Sequence, residues 1–465
     1  MIKESDRIHL LDLGGRVADR NTSEDENVFE IEQGVAIGSY VRTPRHVATD
    51  EVSYSKLTGT KEQKYHDLNT NTAIKRLKVP LSPSGPFFRF MQTDEVAESE
   101  LCDWQSLDEI FPVNSGGIIT SRDALAIHID RQQLLRNIER FSICPRGDTS
   151  LEEELGYSVK TKWDVEDCKS ALRSTGISSK WVKPIYYRPF DTRSIYYFQD
   201  LLDTPSRPIS EMVHLGRNLL ILSPRVKTSA AFCHILVSRT PAETKSCTHD
   251  RASQMFPAFL RDSLNPEEAI PNISSDFLRK FSGSLQLKKE DGANVAEMIV
   301  HYIYAICHSP AYRSRYGNSL REVFPRVPVS KNKELTQKLV KFGSELTQLH
   351  LMEFQLPKKF TAEFSGEGSR EIEKITWSNG TIWINKKQLS GFKDVKEEVW
   401  NFHIGGYQVC EKWLKDRKGR KLTKDDIEHY QKIVVAISET IRLMAEIDKV
   451  IDEHGGWPGA FQASK

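Results

Sequence analysis

The apolar positions along the chain recur with two periods, which predicts a mixture of strands and helices. A short apolar run at 8–13 and the pattern at 28–41 are typical of β-strands. Apolar residues recur at the helical period in 331–351 and again in 425–452. An Asn-Gly pair at 379–380, between two short apolar runs, predicts a tight hairpin. The predicted fold class is therefore α+β.

The stretch 184–198 is the clearest single element, because two runs of aromatic and β-branched residues flank a centre of Pro, Asp and Arg. This composition predicts a β-hairpin. Asp191 has two candidate partners near the turn, Arg188 and Arg193, and an ion pair there would be structural. Alternatively, both arginines contact DNA, because a planar guanidinium held on a rigid hairpin suits phosphate oxygens and guanine edges. Both interpretations stay open, since different arginines can serve different roles.

Further basic and hydroxyl residues lie at predicted strand ends and turns, where a β-rich domain usually reaches phosphates and base edges. The candidate DNA contacts outside the hairpin are Arg207, Arg225, Lys227, Thr120, Arg122, Lys415, Arg417 and Arg420. For any single basic residue, a solvated surface side chain is the simpler alternative. Ser121 or Thr120 is also a candidate N-cap for a helix that begins near Asp123.

Composition limits how the chain could bind nucleic acid. Of its 465 residues 28% are charged, but the formal net charge is only +1, so binding has to come from local basic patches. The seven cysteines are scattered without a CxxC pair, which argues against a zinc cluster and a disulfide framework. The start resembles no signal peptide, and no apolar run reaches the roughly 18 to 20 residues of a membrane span. We therefore expect a cytoplasmic protein without membrane contact.

One long segment carries a specific resemblance. Residues 302–328, YIYAICHSPAYRSRYGNSLREVFPRVP, predict a helix ended by Ser309-Pro310, a second helix and an extended exit. This segment resembles one found across the C-terminal regions of type ISP and related single-chain restriction-modification enzymes, which are prokaryotic proteins. The YRPFDTR sequence of the predicted hairpin resembles a second segment of that family, and the resemblance extends over about residues 8–453. It implies that the chain contains a target recognition domain, mixed and β-rich with helical bracing.

The same resemblance assigns the first strands to a different fold. Residues 11–14 and 27–37 resemble the last strands of the Rossmann-like, S-adenosylmethionine-dependent methyltransferase sheet of these enzymes. The catalytic motifs of the family are absent from this sequence: it has no NPPY, DPPY or DPPF tetrapeptide for a flipped adenine, no Gly-rich cofactor loop, no P-loop and no clear nuclease cluster. We therefore expect neither a catalytic site nor a bound cofactor or metal in this chain alone. S-adenosylmethionine is expected in a methyltransferase or nuclease partner chain, or in N-terminal domains missing from this sequence.

The resemblance also implies a division of the chain into four segments. They are the terminal strands of an incomplete methyltransferase fold at 1–48, a connecting region at 49–140, the core of the target recognition domain at 141–362, and a C-terminal hairpin with a helical brace at 363–465.

Three functions are compatible with this sequence. The leading one is sequence-specific recognition of double-stranded DNA, as the specificity portion of a restriction-modification system whose adenine-N6 methylation is performed elsewhere. A first alternative is a subunit of a split adenine-specific methyltransferase, which would give the last strands of the catalytic sheet to a partner chain. A second alternative is a structural remnant of a truncated gene that does not read DNA.

Overall fold

The structure is a computed structural model of the chain and divides into two compact units. It describes residues 4–15, 25–31, 33–44, 52–70, 79–81, 83, 90, 95–145, 147–158, 163–207, 209–224, 235–249, 251–262, 264–287, 292–317, 319–321, 323–355, 360–366 and 368–462. The first unit comprises residues 1–102 with 228–231, and the second comprises 103–227 with 232–465. Among the described helices, none is long and apolar enough to cross a membrane.

The first unit contains a four-stranded mixed sheet. Its elements are β1 (Arg7–Gly14), β2 (Val35–Val41), β3 (Val52–Lys56), α1 (Lys61–Asn69), β4 (Val79–Leu81) and α2 (Glu95–Cys102). The strand order is β2-β1-β3-β4, with β1 parallel to β3 and the other two pairs antiparallel. Ile8, Val52, Tyr54 and Leu81 form a small apolar core of this sheet.

A buried lysine joins three stretches of the first unit. The Lys64 ammonium on α1 lies 2.6 Å from the carbonyl oxygen of Leu13, 2.5 Å from that of Glu26 and 2.7 Å from Asp25 Oδ1. Its side chain is fully buried. A buried ammonium without partners would be strongly destabilising, so these three acceptors make the position tolerable and fix α1 on the end of β1.

The outer strand β2 has an exposed apolar surface. Along β2 and the segment before it, five large hydrophobic side chains are exposed: Phe29, Ile31, Ile37, Tyr40 and Val41. In the described sheet β2 pairs only with β1, so its other backbone edge is open. An open edge beside exposed apolar side chains is a surface suited to pairing with another strand.

The second unit combines helices with several small sheets. Its helices are α3 (Leu107–Ile110), α4 (Asp123–Ala126), α5 (Arg131–Ile143), α6 (Thr149–Leu155), α7 (Val165–Thr175), α8 (Ile209–His214), α9 (Ser275–Leu285), α10 (Gly292–His308), α11 (Pro310–Tyr316), α12 (Lys333–His350), α13 (Glu397–Trp400), α14 (Val409–Lys415), α15 (Lys424–Glu453) and α16 (Gly456–Gly459). Short 3-10 helices cover Ser179–Trp181, Gln199–Leu201 and Ser319–Arg321.

The strands of the second unit are short and mostly antiparallel. They are β5 (Gln105–Ser106), β6 (Ser115–Gly116), β7 (Ile127–His128), β8 (Val182–Arg188), β9 (Asp191–Tyr196), β10 (Leu220–Pro224), β11 (Leu236–Ser238), β12 (Ser253–Pro257), β13 (Phe259–Leu260), β14 (Ile270–Pro271), β15 (Arg326–Val327), β16 (Glu363–Gly366), β17 (Thr376–Ser378), β18 (Thr381–Trp383), β19 (Ser390–Lys393), β20 (His403–Ile404) and β21 (Tyr407–Gln408). The larger sheets have the orders β11-β10-β12-β6, β7-β9-β8 and β16-β19-β18-β17.

Helices α10, α12 and α15 form the helical core of this unit. The Tyr304 hydroxyl of α10 bonds to Nδ1 of His350, the last residue of α12. On its other side, His350 Nε2 lies 2.8 Å from the Thr440 hydroxyl of α15. Burial lowers the pKa of His350 to about 3, so the ring is neutral at physiological pH. These two hydrogen bonds satisfy the buried ring nitrogens and join the three helices.

Several local predictions are confirmed. The stretch 184–198 forms the β8–β9 hairpin, Asn379-Gly380 is the turn between β17 and β18, and α10 ends one residue before Ser309. The mixed α+β fold class is confirmed as well. Two details differ: the second predicted strand begins at Val35 rather than Val28, and Arg122 is the N-cap of α4 instead of Ser121 or Thr120. The four-segment division remains a prediction.

Gly343 permits the close approach of α12 to α10, and its replacement by Ala should destabilise the chain. A Cβ at this position would lie 1.7 Å from the backbone carbonyl oxygen of His301, so one helix has to shift. We expect Gly343→Ala to lower the free energy of unfolding by about 1–3 kcal/mol, as other overpacking substitutions do. The measurement is thermal and denaturant unfolding followed by circular dichroism.

Gly283→Ala is the matched control for this substitution. Gly283 lies in α9 with open space around its Cβ position, so alanine there should raise stability slightly by restricting the unfolded chain. Equal melting temperatures for the two variants would show that the helices are not in the close contact described.

Candidate nucleic-acid interface

The tip of the β8–β9 hairpin is held in a defined conformation. The backbones of Arg188 and Asp191 lie opposite each other as strand partners, and Pro189 and Phe190 form the two-residue turn between them. Proline restricts its own φ, and Phe190 adopts the left-handed value of +59°, which is unfavourable for a bulky residue. His429 supports this geometry, because its Nε2 lies 2.9 Å from the Phe190 carbonyl oxygen.

A buried carboxylate, Asp191, joins the hairpin to the C-terminal part of the second unit. Arg193 Nε and NH2 donate to Asp191 Oδ2 at 2.9 and 2.7 Å, and Arg417 NH2 donates to Oδ1 at 2.8 Å. The Asp191 side chain is 2% exposed. Burial alone would raise the pKa of this carboxyl, but the two guanidinium groups outweigh it and hold the pKa below its ordinary value. Asp191 is therefore ionised at neutral pH.

The Tyr187 ring lies against two arginines of the same hairpin. The guanidinium carbons of Arg188 and Arg193 are each 3.9 Å from the ring centroid, within the range of cation–π contacts. The Tyr187 hydroxyl donates to Asp123 Oδ2 at 3.1 Å, and the other oxygen of Asp123 bonds to the Thr120 hydroxyl. The hairpin is thus fixed to the turn that precedes α4.

The third arginine of the site, Arg188, has a carboxylate of its own. Its NH1 group pairs with Glu243 Oε2, and both side chains are almost completely buried. Glu243 is positioned by its backbone N–H, which donates to the Tyr186 carbonyl oxygen at 2.9 Å. Burial raises the pKa of Glu243 above its ordinary value although Arg188 opposes the shift.

We call these residues the arginine–carboxylate cluster. It comprises Arg188, Arg193, Arg417, Asp191, Glu243 and Asp416, arranged around Tyr187. Three positive charges stand against three negative ones, so the cluster is formally neutral. Because each of the three guanidinium groups already has a carboxylate partner within the chain, the cluster is first of all a rigid connection between hairpin, β11–β12 loop and α14.

The turn that contains the other two candidates of this region is also buried. The Arg122 guanidinium lies 3.8 Å from the centroid of the Trp163 ring and donates from NH1 to the Leu201 carbonyl oxygen at 2.6 Å. Thr120 is buried and accepts from the Arg122 backbone N–H at 3.2 Å. Both residues therefore stabilise the turn, and any contact with DNA stays a prediction.

The remaining described candidates are more accessible. Arg207 is 47% exposed and pairs with Glu211 at 3.0 Å, and Lys415 is 57% exposed and pairs with Glu411 at 3.2 Å. Arg420 is about one-third exposed and pairs with Asp426 at 2.7 Å. Exposed ion pairs such as Arg207–Glu211 contribute little, so a phosphate can replace the carboxylate there at small cost, whereas Asp426, the partner of Arg420, is only 11% exposed. Arg225 and Lys227 lie outside the described residues.

A cleft of about 440 Å³ opens beside the cluster, lined in part by Phe190, Asp191, Trp413, Arg417 and His429. The Arg417 guanidinium lies 3.6 Å from the Trp413 ring centroid, and the His429 ring stacks on the same indole at 5.6 Å. The indole is therefore already in contact with two side chains of its own chain. Among the described residues, no group of three or more His, Cys, Asp or Glu side chains could hold a metal ion.

Three members of the site were not identified from the sequence. Glu243 and Asp416 acquire their roles through contacts with residues far away in the chain. Tyr187, in contrast, contacts arginines of its own hairpin. For Asp416 a weak signal existed, because it directly precedes Arg417 in the basic run. No comparable signal marked Glu243.

Comparison with known proteins gives one family and several solved structures. A family model described as Type ISP C-terminal specificity domain matches residues 109–446. A search of curated proteins found no match. Among solved structures, a DrdV–DNA complex determined by cryo-electron microscopy is similar with a TM-score of 0.69 and 21% identity.

Two further solved structures have the same fold over most of this chain. One is a nuclease-deletion mutant of the Type ISP restriction-modification enzyme LlaGI with a DNA substrate mimic, at a TM-score of 0.65 and 19% identity. The other is the ATP-dependent Type ISP restriction-modification enzyme LlaBIII bound to DNA, with a TM-score of 0.69 and 19% sequence identity. All three matches cover 96% of this chain but only 48%, 44% and 32% of the respective relatives. The chain thus spans half or less of the length of these proteins.

Replacing Asp191 by Asn should destabilise the second unit and change its acid sensitivity. At neutral pH the variant leaves Arg193 and Arg417 without their charged partner, which typically costs about 3–5 kcal/mol for a buried pair. Because the folded-state pKa of Asp191 is depressed, its stabilising contribution is complete above the unfolded value of roughly 3.9 and is lost as the pH falls through the lower folded value. The parent chain should therefore lose this contribution below about pH 4, and Asp191→Asn should not.

The measurement is denaturant unfolding of both chains between pH 7 and pH 3. Asp276→Asn is the matched control, because Asp276 also pairs with two basic residues, Arg279 and Lys280, but on the exposed surface of α9. It should unfold like the parent. If Asp191→Asn also unfolds like the parent at neutral pH, the cluster does not hold the unit together.

Proposed function

The chain belongs to the family of Type ISP C-terminal specificity domains, and we propose that it recognises a specific sequence in double-stranded DNA as the target recognition part of a restriction-modification enzyme. The observation that carries this proposal is that the family match at 109–446 contains the whole arginine–carboxylate cluster and the exposed basic residues around it. The similar structures named above, whose titles describe complexes with DNA or a DNA mimic, support the same function.

In this proposal, the described arginines fall into two groups. A bidentate contact between an arginine and guanine contributes about 1–3 kcal/mol of discrimination. Removing Asp191 from Arg193 and Arg417 would cost about 3–5 kcal/mol, which such a contact does not offset. We therefore propose that Arg188, Arg193 and Arg417 act by positioning the hairpin. Arg207 and Lys415 pair with carboxylates at the surface, and Arg420 is itself about one-third exposed although its partner Asp426 is only 11% exposed; we propose that these three residues contact phosphates.

The enzyme around this domain is proposed to be an adenine-N6 DNA methyltransferase with restriction activity. This finer assignment rests on the first unit, where the mixed sheet ends in the open, apolar edge of β2. Such an edge favours a further strand from a methyltransferase region, either on a partner chain or in the longer proteins of this type. A split methyltransferase that becomes complete with a partner chain is the second candidate function, and the same edge is the observation in its favour.

The test of the proposed function is selection of bound duplexes from a random library by the purified chain. We expect enrichment of one sequence motif, because a specificity domain binds its target far more tightly than other DNA. Uniform recovery of all sequences would contradict sequence recognition and favour a structural remnant. Enrichment only after addition of a methyltransferase chain would favour the split enzyme.

Arg207→Ala is expected to weaken binding to all duplexes about equally. As a phosphate contact, Arg207 should contribute one released counterion, so the slope of log affinity against log salt should fall by about one. The measurement is a set of binding titrations at several salt concentrations with the selected and a random duplex. Arg279→Ala is the control, because this exposed arginine on α9 also pairs with a carboxylate, Asp276. If both variants bind like the parent, Arg207 is only the structural partner of Glu211.

A further inference from the structure

A second basic surface lies in the C-terminal part of the second unit, outside the residues predicted from the sequence. The turn between β18 and β19 presents four consecutive exposed residues, Lys386, Lys387, Gln388 and Leu389, between the buried residues Asn385 and Ser390. Leu389 is 54% exposed. Within the described part of the chain, neither lysine forms an ion pair with a carboxylate.

This turn is rigid although its side chains are exposed. Asn385 accepts two backbone hydrogen bonds, from Leu389 to its side-chain oxygen at 2.8 Å and from Gln388 to its carbonyl at 3.2 Å. The Lys386 N–H donates to Glu373 Oε2 at 3.2 Å. Gln388 adopts a left-handed φ of +54°, a conformation that only a well-determined turn maintains. The backbone of 386–389 is thus held in one conformation by bonds that do not involve the four exposed side chains.

The segment 370–374 connects this turn to the second basic turn of the region. On one side, Glu373 N–H donates to the Ile384 carbonyl at 2.9 Å. On the other side, Gly419 N–H donates to the Ile372 carbonyl at 2.8 Å, and Ile372 N–H donates to the carbonyl of Arg420. The backbones of Ile384, just before the first turn, and of Arg420 therefore lie on opposite sides of this segment, about two strand spacings or roughly 10 Å apart. This separation is comparable to the roughly 12 Å width of the DNA major groove.

The charge of this surface is strongly positive. Its basic residues are Arg370, Lys374, Lys386, Lys387, Lys418 and Lys421, against the two acidic residues Glu371 and Glu373. Elsewhere on the second unit, many surface charges cancel in pairs along helices, such as Lys338 with Glu334 and Lys432 with Glu428. In a chain with a net charge of only +1, an uncompensated cluster of this size is the kind of local patch that DNA binding needs.

We propose that the Lys386–Leu389 turn is a DNA-reading element. Lys386 and Lys387 bind phosphates of the duplex. Gln388 reaches a base edge in the groove, where its side-chain amide can donate a hydrogen bond to adenine and accept one from it. Leu389 contacts the apolar part of a base or sugar. The basic turn with Lys418 and Lys421 contacts the phosphates on the other side of the groove. The inference rests on the proposed function, because it assigns a recognition element to the same DNA-binding domain.

The test uses the full chain with two variants of the turn. Lys386→Gln with Lys387→Gln should weaken binding to selected and random duplexes alike, and the slope of log affinity against log salt should fall by about two. Gln388→Ala should keep the affinity for random duplexes but reduce the preference for one base pair of the selected motif by roughly tenfold. The readouts are salt-dependent titrations and a panel of duplexes with single base-pair changes.

The matched control is Lys341→Gln with Lys449→Gln, two exposed lysines on the core helices α12 and α15. It removes the same charge and should bind like the parent. All substituted side chains are exposed, so cooperative melting of each variant is expected and is checked first.

The outcomes separate this inference from the proposed function. Suppose that the parent selects a motif and that both turn variants have the same affinity, the same salt slope and the same base preference as the parent. The turn is then an ordinary solvated loop, and only the inference is overturned. If the control loses as much affinity as the lysine variant, the effect is one of overall charge and the inference is overturned as well. A parent that binds no duplex overturns both ideas.

Discussion

The second unit depends on one buried carboxylate between two guanidinium groups. Asp191 belongs to the β8–β9 hairpin, Arg193 to the same strand, and Arg417 follows α14, more than 200 residues later. Such a pair is costly to desolvate and becomes acceptable only when every charge has a partner. The Arg417 guanidinium lies over the face of the Trp413 ring, and its Nε is 4.0 Å from Oδ1 of Asp426 at the start of α15. The interaction therefore determines how hairpin and helices pack together.

This arrangement separates two tasks that basic residues often combine. Arginines inside the arginine–carboxylate cluster have their charge compensated within the chain, so they add rigidity and almost no long-range field. Within the residues that the structure describes, Lys386, Lys387, Lys418 and Lys421 form no ion pair with a carboxylate, and they produce the local positive potential. Because the chain is nearly neutral overall, electrostatic attraction to a duplex arises where uncompensated lysines are concentrated. Such a local field orients the chain on the duplex as well as raising its affinity for DNA.

The sequence predicted those features that depend on neighbouring residues. The hairpin at 184–198, the Asn379-Gly380 turn and the helix end at Ser309 each follow from residue types within a few positions, and each is confirmed. Local pattern also suggested that Asp191 pairs with Arg188 or Arg193; the partner is Arg193, and Arg188 pairs with Glu243 instead. It could not show that Arg417 completes this site, because 226 residues separate the partners and charge alone does not identify a contact. Glu243 was missed for the same reason.

The basic turn was missed for a different reason. Two consecutive lysines between short strands are common and usually solvated, so the sequence alone gives them no special status. Their position is informative because the 370–374 segment forms backbone hydrogen bonds to Ile384 on one side and to Gly419 and Arg420 on the other. The sequence predicts only the β17–β18 hairpin of the C-terminal sheet; it does not predict the other two strands, β16 and β19, or the packing of the sheet on α15 through Phe392 and Tyr430.

The construction of the Lys386–Leu389 turn has a consequence for how this domain can evolve. Its shape is maintained by Asn385 and by backbone hydrogen bonds, whereas the four exposed side chains contribute nothing to it. Substitutions at Lys386, Lys387 and Leu389 should therefore cost little folding free energy, since exposed positions away from such supports usually tolerate change, whereas the left-handed φ of Gln388 disfavours β-branched residues there. On the proposal that this turn reads DNA, the domain can acquire a new target sequence through a few point mutations at nearly constant stability.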